Sequence, residues 1–569
     1  MFKLFKIPFA KKTSLAKFAF LGILSALILR IIIYYNYLQG REVYLISDNA
    51  IYAALSKRLL NGDFLNVFHP YWNPGFPIIT APFYLLMGSW EKAQVIVSMT
   101  SAVLLVLIMF WFFRRFSLLL AFIAALVTAF SASLQKLVIV EGITEPVFML
   151  LLWISIFLGW LAITTTKLRF YILGGITWAL AYLVRTEAVA LFILFIFIAA
   201  AYHFIKYRPA RFKVVIKLLI IRLGALLAIF FLINAPYIVG QSIHLSKFTF
   251  SGKYAFFGTG PPYALEKNRI STMAQDIWSI DFPNYHSPYY DPNRTVDLMY
   301  RFYQNGTIKD GAIKSIQSSL TQYKSVNTVN FFVGFGLLLA VFGVVLGLIG
   351  KRFRFLTIYL LSMWAIGFLW VNIFMAPHYR YLIFALPLFF YLQSLAMYII
   401  VKIIPRVATY PLPMRFKEPI NIFLSIALLS ILLGRIFVDN VDTNTLSSTP
   451  IQVRHKDQKV IGEWLKTQNI KLIGGRMEGV PFYAEAKLVY MPSDSPEKII
   501  SYMKAWGIEY LLARPDEAGY EIVRPISRQD FKHHDLTKIH VFEDGSIVWK
   551  IRLTNQERQA NQRTLLGYK

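Results

Sequence analysis

Few side chains in this chain carry charge where water is scarce, and those few bound the chemistry open to it. Asp48 stands in Ser47-Asp48-Asn49-Ala50-Ile51-Tyr52, just after the first long apolar run. A carboxylate there is either the cap of the helix that follows, a part Ser47 could also play, or a functional ionisable group at a membrane edge. Glu141 and Glu145 flank the start of another apolar run, VEGITEPVFMLLL. Their i, i+4 spacing puts both on one helical face if the helix begins early enough, while a carboxylate before Pro146 also suits a helix N-terminus. Arg185-Thr186-Glu187 interrupts two apolar runs, with Arg185 open to anion binding or to pairing with Glu187. His378, Arg380 and Tyr381 interrupt another, MAPHYRYLIFALP. Arg380 offers a fork of donors that suits phosphate or diphosphate oxygens, or it snorkels to the interface. His69 lies in the turn HPYWNPGFP.

Metal chemistry has little to build on. A lone His with one nearby Asp is not a metal set. No Asp-x-Asp occurs anywhere in the chain, and that spacing is one at which two carboxylates share Mg²⁺ or Mn²⁺. The expectation is therefore a metal-free route without cofactor, with dependence on a divalent metal left open. The chain has no Cys, which excludes disulfides, thiolate catalysis and Cys-ligated metals. No Walker-type loop, Ser-His-Asp signature or dinucleotide fingerprint is present. Asn293-Arg294-Thr295 and Asn305-Gly306-Thr307 match a glycosylation acceptor pattern short enough to arise by chance.

The elements that must position these groups are membrane-length. Of 569 residues, 56% are hydrophobic and 16% charged, and the mean hydropathy is +0.51. A chain this apolar, with its apolar residues in long blocks, is a polytopic membrane protein. Runs of about 20 apolar residues predict spans near 17–38, 92–113, 117–136, 146–164, 170–184, 187–205, 217–239, 329–350, 355–375, 381–403 and 419–438, about eleven helices. The piece at 76–86 is too short to cross and reads as re-entrant or interfacial. The N-terminal MFKLFKIPFAKKTSLAK is basic like the start of a signal peptide. The apolar run after it lacks a small-x-small cleavage site and is expected to be retained as the first span.

Net charge is +28, yet nucleic acid is not the expected partner. With the N-terminus in the cytoplasm, every cytoplasmic connection is basic: Arg114-Arg115, Lys167 and Arg169, Lys206 to Lys217, Lys351 to Arg354, Lys402 to Lys417. That is the positive-inside pattern, with anionic membrane lipids as the partners of the basic loops. The opposite side receives Asp48, Asp63, Glu91, Glu141, Glu145 and Glu187, and also the chain end. On that side Arg185 and Arg380 run against the charge trend.

The expected organisation is a transmembrane region over 1–439, containing a first extracytoplasmic loop at 40–91 and a large one at 240–328, followed by a C-terminal domain at 449–569. The C-terminal part alternates helix and strand: VIGEWLKTQ, IKLIGG, AKLVYMP, PEKIISYMKAWG, IEYLLARP, and a strand pair in HVFEDGSIVWKIRL about an Asp-Gly turn. This predicts a small α/β domain.

With these residues in view, the chain resembles the GT-C fold membrane glycosyltransferases. It is most similar to the bacterial branch of the protein mannosyltransferase family, which includes the aminoarabinose transferase of lipid A. The resemblance rests on Asp48-Asn49-Ala50-Ile51-Tyr52 after the first span and on the turn from His69 to Pro77. It rests also on Thr144-Glu145-Pro146, Arg185-Thr186-Glu187 and His378-Tyr379-Arg380-Tyr381. Many relatives carry Asp-Glu where this chain has Asp48-Asn49, and His-Pro-Pro where it has His69-Pro70-Tyr71. The resemblance implies a polyprenyl-phosphate sugar as donor and a lipid, glycan or protein as acceptor, with transfer by inversion outside the cytoplasm. It makes Asp48 the general base and gives the donor phosphate to Arg380, with His378, Tyr381, Arg185, Glu145 and His69 around the substrate. Two other readings are a transporter or flippase for a lipid-linked glycan, and an oligosaccharide polymerase or ligase. A transporter predicts repeat symmetry and charges near the midplane. Here the charges gather at one face.

Overall fold

The computed structural model describes residues 44–45, 48–69, 72–131, 144–207, 212–244, 248–250, 335–374, 383–440, 456–475, 479–491, 495–515 and 525–559, with isolated residues elsewhere. His378, Arg380, Tyr381, Glu141, Ser47, both acceptor patterns, most of the first span and most of the 240–328 loop lie outside the described residues. The chain divides into two compact units.

The first unit comprises Met1–Arg41, Val95–Ile233 and Ala312–Ser448 and is helical. Along the whole chain, six described helices are long and apolar enough to cross a membrane: Trp90–Phe113, Glu145–Thr165, Ala188–Lys206, Leu219–Ile243, Leu386–Ala408 and Phe416–Arg435. Leu118–Ala129, Leu168–Val184, Phe335–Ile349 and Arg354–Trp370 are apolar but shorter. These helices fall on the predicted apolar runs, and the protein is a multi-pass membrane protein. Leu118–Ala129 stops short of the 117–136 expected. Just past its end the Ser131 hydroxyl accepts the Leu134 N–H at 3.2 Å, the side-chain bond typical of a helix N-cap.

Packing in this unit is aromatic. Phe112 stacks on Phe157 at 3.8 Å and Phe113 on Tyr391 at 5.1 Å. Some buried polar groups tie the helices together by hydrogen bonds. Tyr391 Oη and Thr357 Oγ1 are 2.8 Å apart, and Trp153 Nε1 donates to the Phe384 carbonyl at 3.0 Å. Glu145–Thr165 and Leu168–Val184 form an antiparallel hairpin. Its turn places Thr166 at φ 59, and the Thr166 N–H returns to the Ala162 carbonyl at 2.9 Å. The hairpin therefore brings Glu145, at the start of one helix, to the end at which the other stops at Val184.

The second unit comprises Glu42–Gln94, Asn234–Gly311 and Thr449–Lys569. Its N-terminal part holds the helices Asp48–Leu60, Phe64–Val67 and Gly75–Met87. The first ends where sequence predicts, at Asn61-Gly62, with Gly62 at φ 79, a conformation that a side chain would strain. Gly75–Met87, the apolar piece too short to cross, is a helix of 13 residues.

The C-terminal part is a five-stranded sheet of β1 (Leu472–Gly475), β2 (Lys487–Tyr490), β3 (Tyr510–Ala513), β4 (Leu536–Val541) and β5 (Ile547–Ile551), in the order β2-β1-β3-β5-β4. β1 runs parallel to β2 and β3, while β5 is antiparallel to β3 and β4. Strand alternation separates two apolar layers. Leu472, Leu511 and Trp549 face Ile499, Ile500 and Met503 of the helix Pro496–Ala505. Ile473, Leu512 and Val548 face Ile461 and Leu465 of the helix Lys456–Thr467. A short helix between β1 and β2, Gly479–Ala484, was not expected from the sequence.

Candidate active site

In the second unit Asp48 is the first residue of the helix Asp48–Leu60, half-buried, with Asn49 to Ser56 all buried behind it. A carboxylate at that end faces the positive pole of the helix dipole. Its Oδ1 accepts the indole N–H of Trp72 at 3.3 Å. Trp72 is itself fixed by its neighbours. Its backbone N–H donates to His69 Nδ1 at 3.1 Å, and the two rings meet edge-on at 4.8 Å. The bond from Trp72 N assigns the acceptor role to Nδ1, so the proton of the neutral ring sits on Nε2. His69 is buried at 1% exposure, and its carbonyl accepts from Tyr237 Oη at 3.4 Å. The turn therefore works by aiming an indole at the carboxylate. Gln94 Nε2 donates to the Asn49 carbonyl at 2.8 Å, holding the peptide that follows Asp48. Sequence reasoning named Asp48 and His69 but missed Trp72 and Gln94. Trp72 had a signal, an indole between Pro70 and Pro74; Gln94 had none.

In the first unit Arg185 joins two carboxylates. Its Nη1 lies 2.6 Å from Glu145 Oε1 and its Nη2 2.9 Å from Glu187 Oε1. All three side chains are buried, and the Arg185 guanidinium lies 5.7 Å from the Phe148 ring centre. Helix geometry explains the meeting: Glu145 opens its helix, Arg185 caps Leu168–Val184, and Glu187 stands one residue before the helix starting at Ala188. Arg185 makes the pairing with Glu187 that the sequence allowed and bonds Glu145 as well, so its guanidinium links three helix ends.

Two further charged groups belong to the sheet. Arg514 pairs with Asp457 and lies 3.5 Å from Asp544. Burial outweighs the pull of Arg514, and with the nearby Asp544 it pushes the Asp457 carboxyl up to about 6. His533, His534 and Asp535 are, among the described residues, the one group of three that could hold a metal ion. Asp535 already pairs with Lys504 at 2.9 Å, which holds its carboxyl below the usual range.

Comparison with solved structures gives the fold. The chain is similar to ArnT from Cupriavidus metallidurans in the apo state, with TM-score 0.53, 13% identity, and coverage of 93% of this chain and 97% of that one. It is likewise similar to the same protein bound to undecaprenyl phosphate, with TM-score 0.52 and the same identity and coverage. No family model and no curated protein sequence matches the chain. The chain has the GT-C fold of these membrane enzymes, with a small C-terminal sheet region.

Proposed function

We propose that the protein is a membrane glycosyltransferase that moves a sugar from a polyprenyl-phosphate donor to an acceptor hydroxyl outside the cytoplasm, with inversion. One observation carries this reading. In a chain with the GT-C fold, Asp48 sits at a helix N-terminus and is aimed by Trp72, which is braced in turn by His69. Asp48 takes the proton of the acceptor hydroxyl as its oxygen attacks the anomeric carbon. The bond from that carbon to the phosphate oxygen breaks, and the polyprenyl phosphate departs with the electron pair. A phosphate leaving group needs little protonation, so one carboxylate base suffices. Arg380, with His378 and Tyr381, receives the phosphate, since an arginine fork matches its oxygens. Glu145, Arg185 and Glu187 keep the helix ends of their hairpin in place.

The similarity to ArnT bound to undecaprenyl phosphate supports a donor of this chemical class. The test is a panel of radiolabelled undecaprenyl-phosphate sugars, pentoses and hexoses, incubated with purified protein and envelope lipid or glycan extracts. Transfer of label out of the polyprenyl fraction from at least one donor is expected. Movement of intact donor across a vesicle bilayer without loss of the sugar would favour a flippase instead.

A further inference from the structure

The C-terminal sheet region has no part in the chemistry above, yet it touches the peptide chain within three residues of Asp48. The contact is made by the unexpected helix Gly479–Ala484. Tyr483 Oη accepts the backbone N–H of Leu45 at 2.8 Å and donates its own proton to Glu91 Oε1 at 2.9 Å. The other oxygen of Glu91 accepts from Ser89 Oγ at 2.7 Å. Burial, and then the adjacent Glu91 carboxylate, push the Tyr483 phenol well above its usual range, so it stays a donor.

The Leu45 carbonyl is sensed as well. A methyl group on Gly479 would lie 2.5 Å from it, so only glycine allows that approach. Leu45 itself is buried at 1% exposure, in a cluster with Ala50, Ala53 and Trp90 that Phe482 and Tyr483 cover. The helix that presents Glu91 to Tyr483 also presents Gln94 to the Asn49 carbonyl. Asp48 is thus bracketed, Leu45 before it and Asn49 after it, by groups that the first turn of Trp90–Phe113 ties together. By contrast, the outer contacts, Glu485 to Lys57 at 3.6 Å and to Lys466 at 3.1 Å, are exposed and contribute little.

We infer that Tyr483 is a positioning residue for Asp48: through the Leu45 peptide, the C-terminal region sets where the base stands. This rests on the reading of Asp48 as the base. A phenol that accepts and donates at once cannot be replaced by Phe. Loss of the Leu45 bond lets the segment before Asp48 drift, and a base misplaced by about an ångström costs on the order of 10²-fold in rate. Because donor binding does not pass through Tyr483, the loss falls on kcat and leaves the donor KM within about two-fold.

The experiment uses full-length protein and an undecaprenyl-phosphate sugar selected by the panel. It compares wild type, Tyr483→Phe, Gly479→Ala, Asp48→Asn and Tyr483→Phe/Asp48→Asn, with Glu485→Ala as a control expected to be unchanged. Hydrogen exchange of the peptide containing Leu45 is followed in parallel. The expected result is faster exchange at Leu45 in Tyr483→Phe and a kcat loss of at least about ten-fold at near-constant KM. Gly479→Ala is expected to give the same split, and Tyr483→Phe no further loss once Asp48 is Asn. If Tyr483→Phe and Gly479→Ala both keep kcat within two-fold while Asp48→Asn is inactive, this inference is overturned and the proposed function stands. If Asp48→Asn stays active, or no panel donor is consumed, the reading of Asp48 falls and the role of Tyr483 with it. If Tyr483→Phe fails to fold, Gly479→Ala alone decides by the same criterion.

Discussion

Replacing Arg185 with Met should destabilise the Glu145–Thr165 and Leu168–Val184 hairpin severely. The guanidinium makes two charge-assisted bonds, at 2.6 and 2.9 Å, to carboxylates that have almost no access to solvent. Each such bond contributes about 1.5–3 kcal/mol. Breaking a buried pair while leaving the partner charge behind costs about 3–5 kcal/mol. Here two carboxylates are left, so the loss should reach at least the lower end of that range. Glu187→Gln keeps an acceptor for Nη2 and should cost only about 1 kcal/mol. The triple change Arg185→Met, Glu145→Leu, Glu187→Leu removes the stranded charges and should recover much of the stability. Melts of the purified protein followed by tryptophan fluorescence would rank the variants. If Arg185→Met melts with wild type, or the triple change melts no higher than Arg185→Met, the trio is not the brace that its geometry implies.

Other outcomes follow from the same structure. Asp457 has its carboxyl raised to about 6, so the folded state holds its proton more tightly than the unfolded chain. Its contribution to stability is therefore greatest at low pH and falls as pH rises through about 6. The protection factor of the Lys456–Thr467 helix in the full-length protein, with the intrinsic pH dependence of amide exchange divided out, should rise between pH 7 and 5, and Asp457→Asn should abolish that rise. Arg380→Gln should weaken binding of fluorescent undecaprenyl phosphate about ten-fold or more, with Arg380→Lys intermediate. Equal affinities in all three proteins would leave Arg380 a snorkelling residue. A topology reporter fused after Val438 should be active only outside the cytoplasm, and a cytoplasmic signal would break the alternation of basic loops.

What could be read in the sequence was what depends on local pattern. The apolar runs became helices because a backbone without water must bond to itself, and length alone identifies such segments. The strands of the sheet region were legible as short apolar runs between turn residues and helices, down to the turn at Asp544-Gly545, where Gly545 takes φ 82. Pairing of Arg185 with Glu187 was legible because only Thr186 separates them. Its bond to Glu145 was not, since it needs a hairpin to close over forty residues. Trp72 and Gln94 escaped for the same reason: an indole or an amide becomes a positioning group only when folding aims it. The helix Gly479–Ala484 was not legible because Val480-Pro481-Phe482-Tyr483 is too short for helical periodicity to register. That brevity hid the segment that meets the chain before Asp48.

The central claim is that Asp48 is the base of a sugar transfer. Asp48→Asn keeps the shape of the side chain and an oxygen for Trp72 to bond, but it cannot take a proton. Single-turnover transfer from a radiolabelled undecaprenyl-phosphate sugar, with enzyme in excess, measures the chemical step alone. The rate should fall by about 10²–10⁴ while donor binding and membrane expression match wild type. Turnover within a few fold of wild type would reduce Asp48 to a helix-terminal residue and contradict the account.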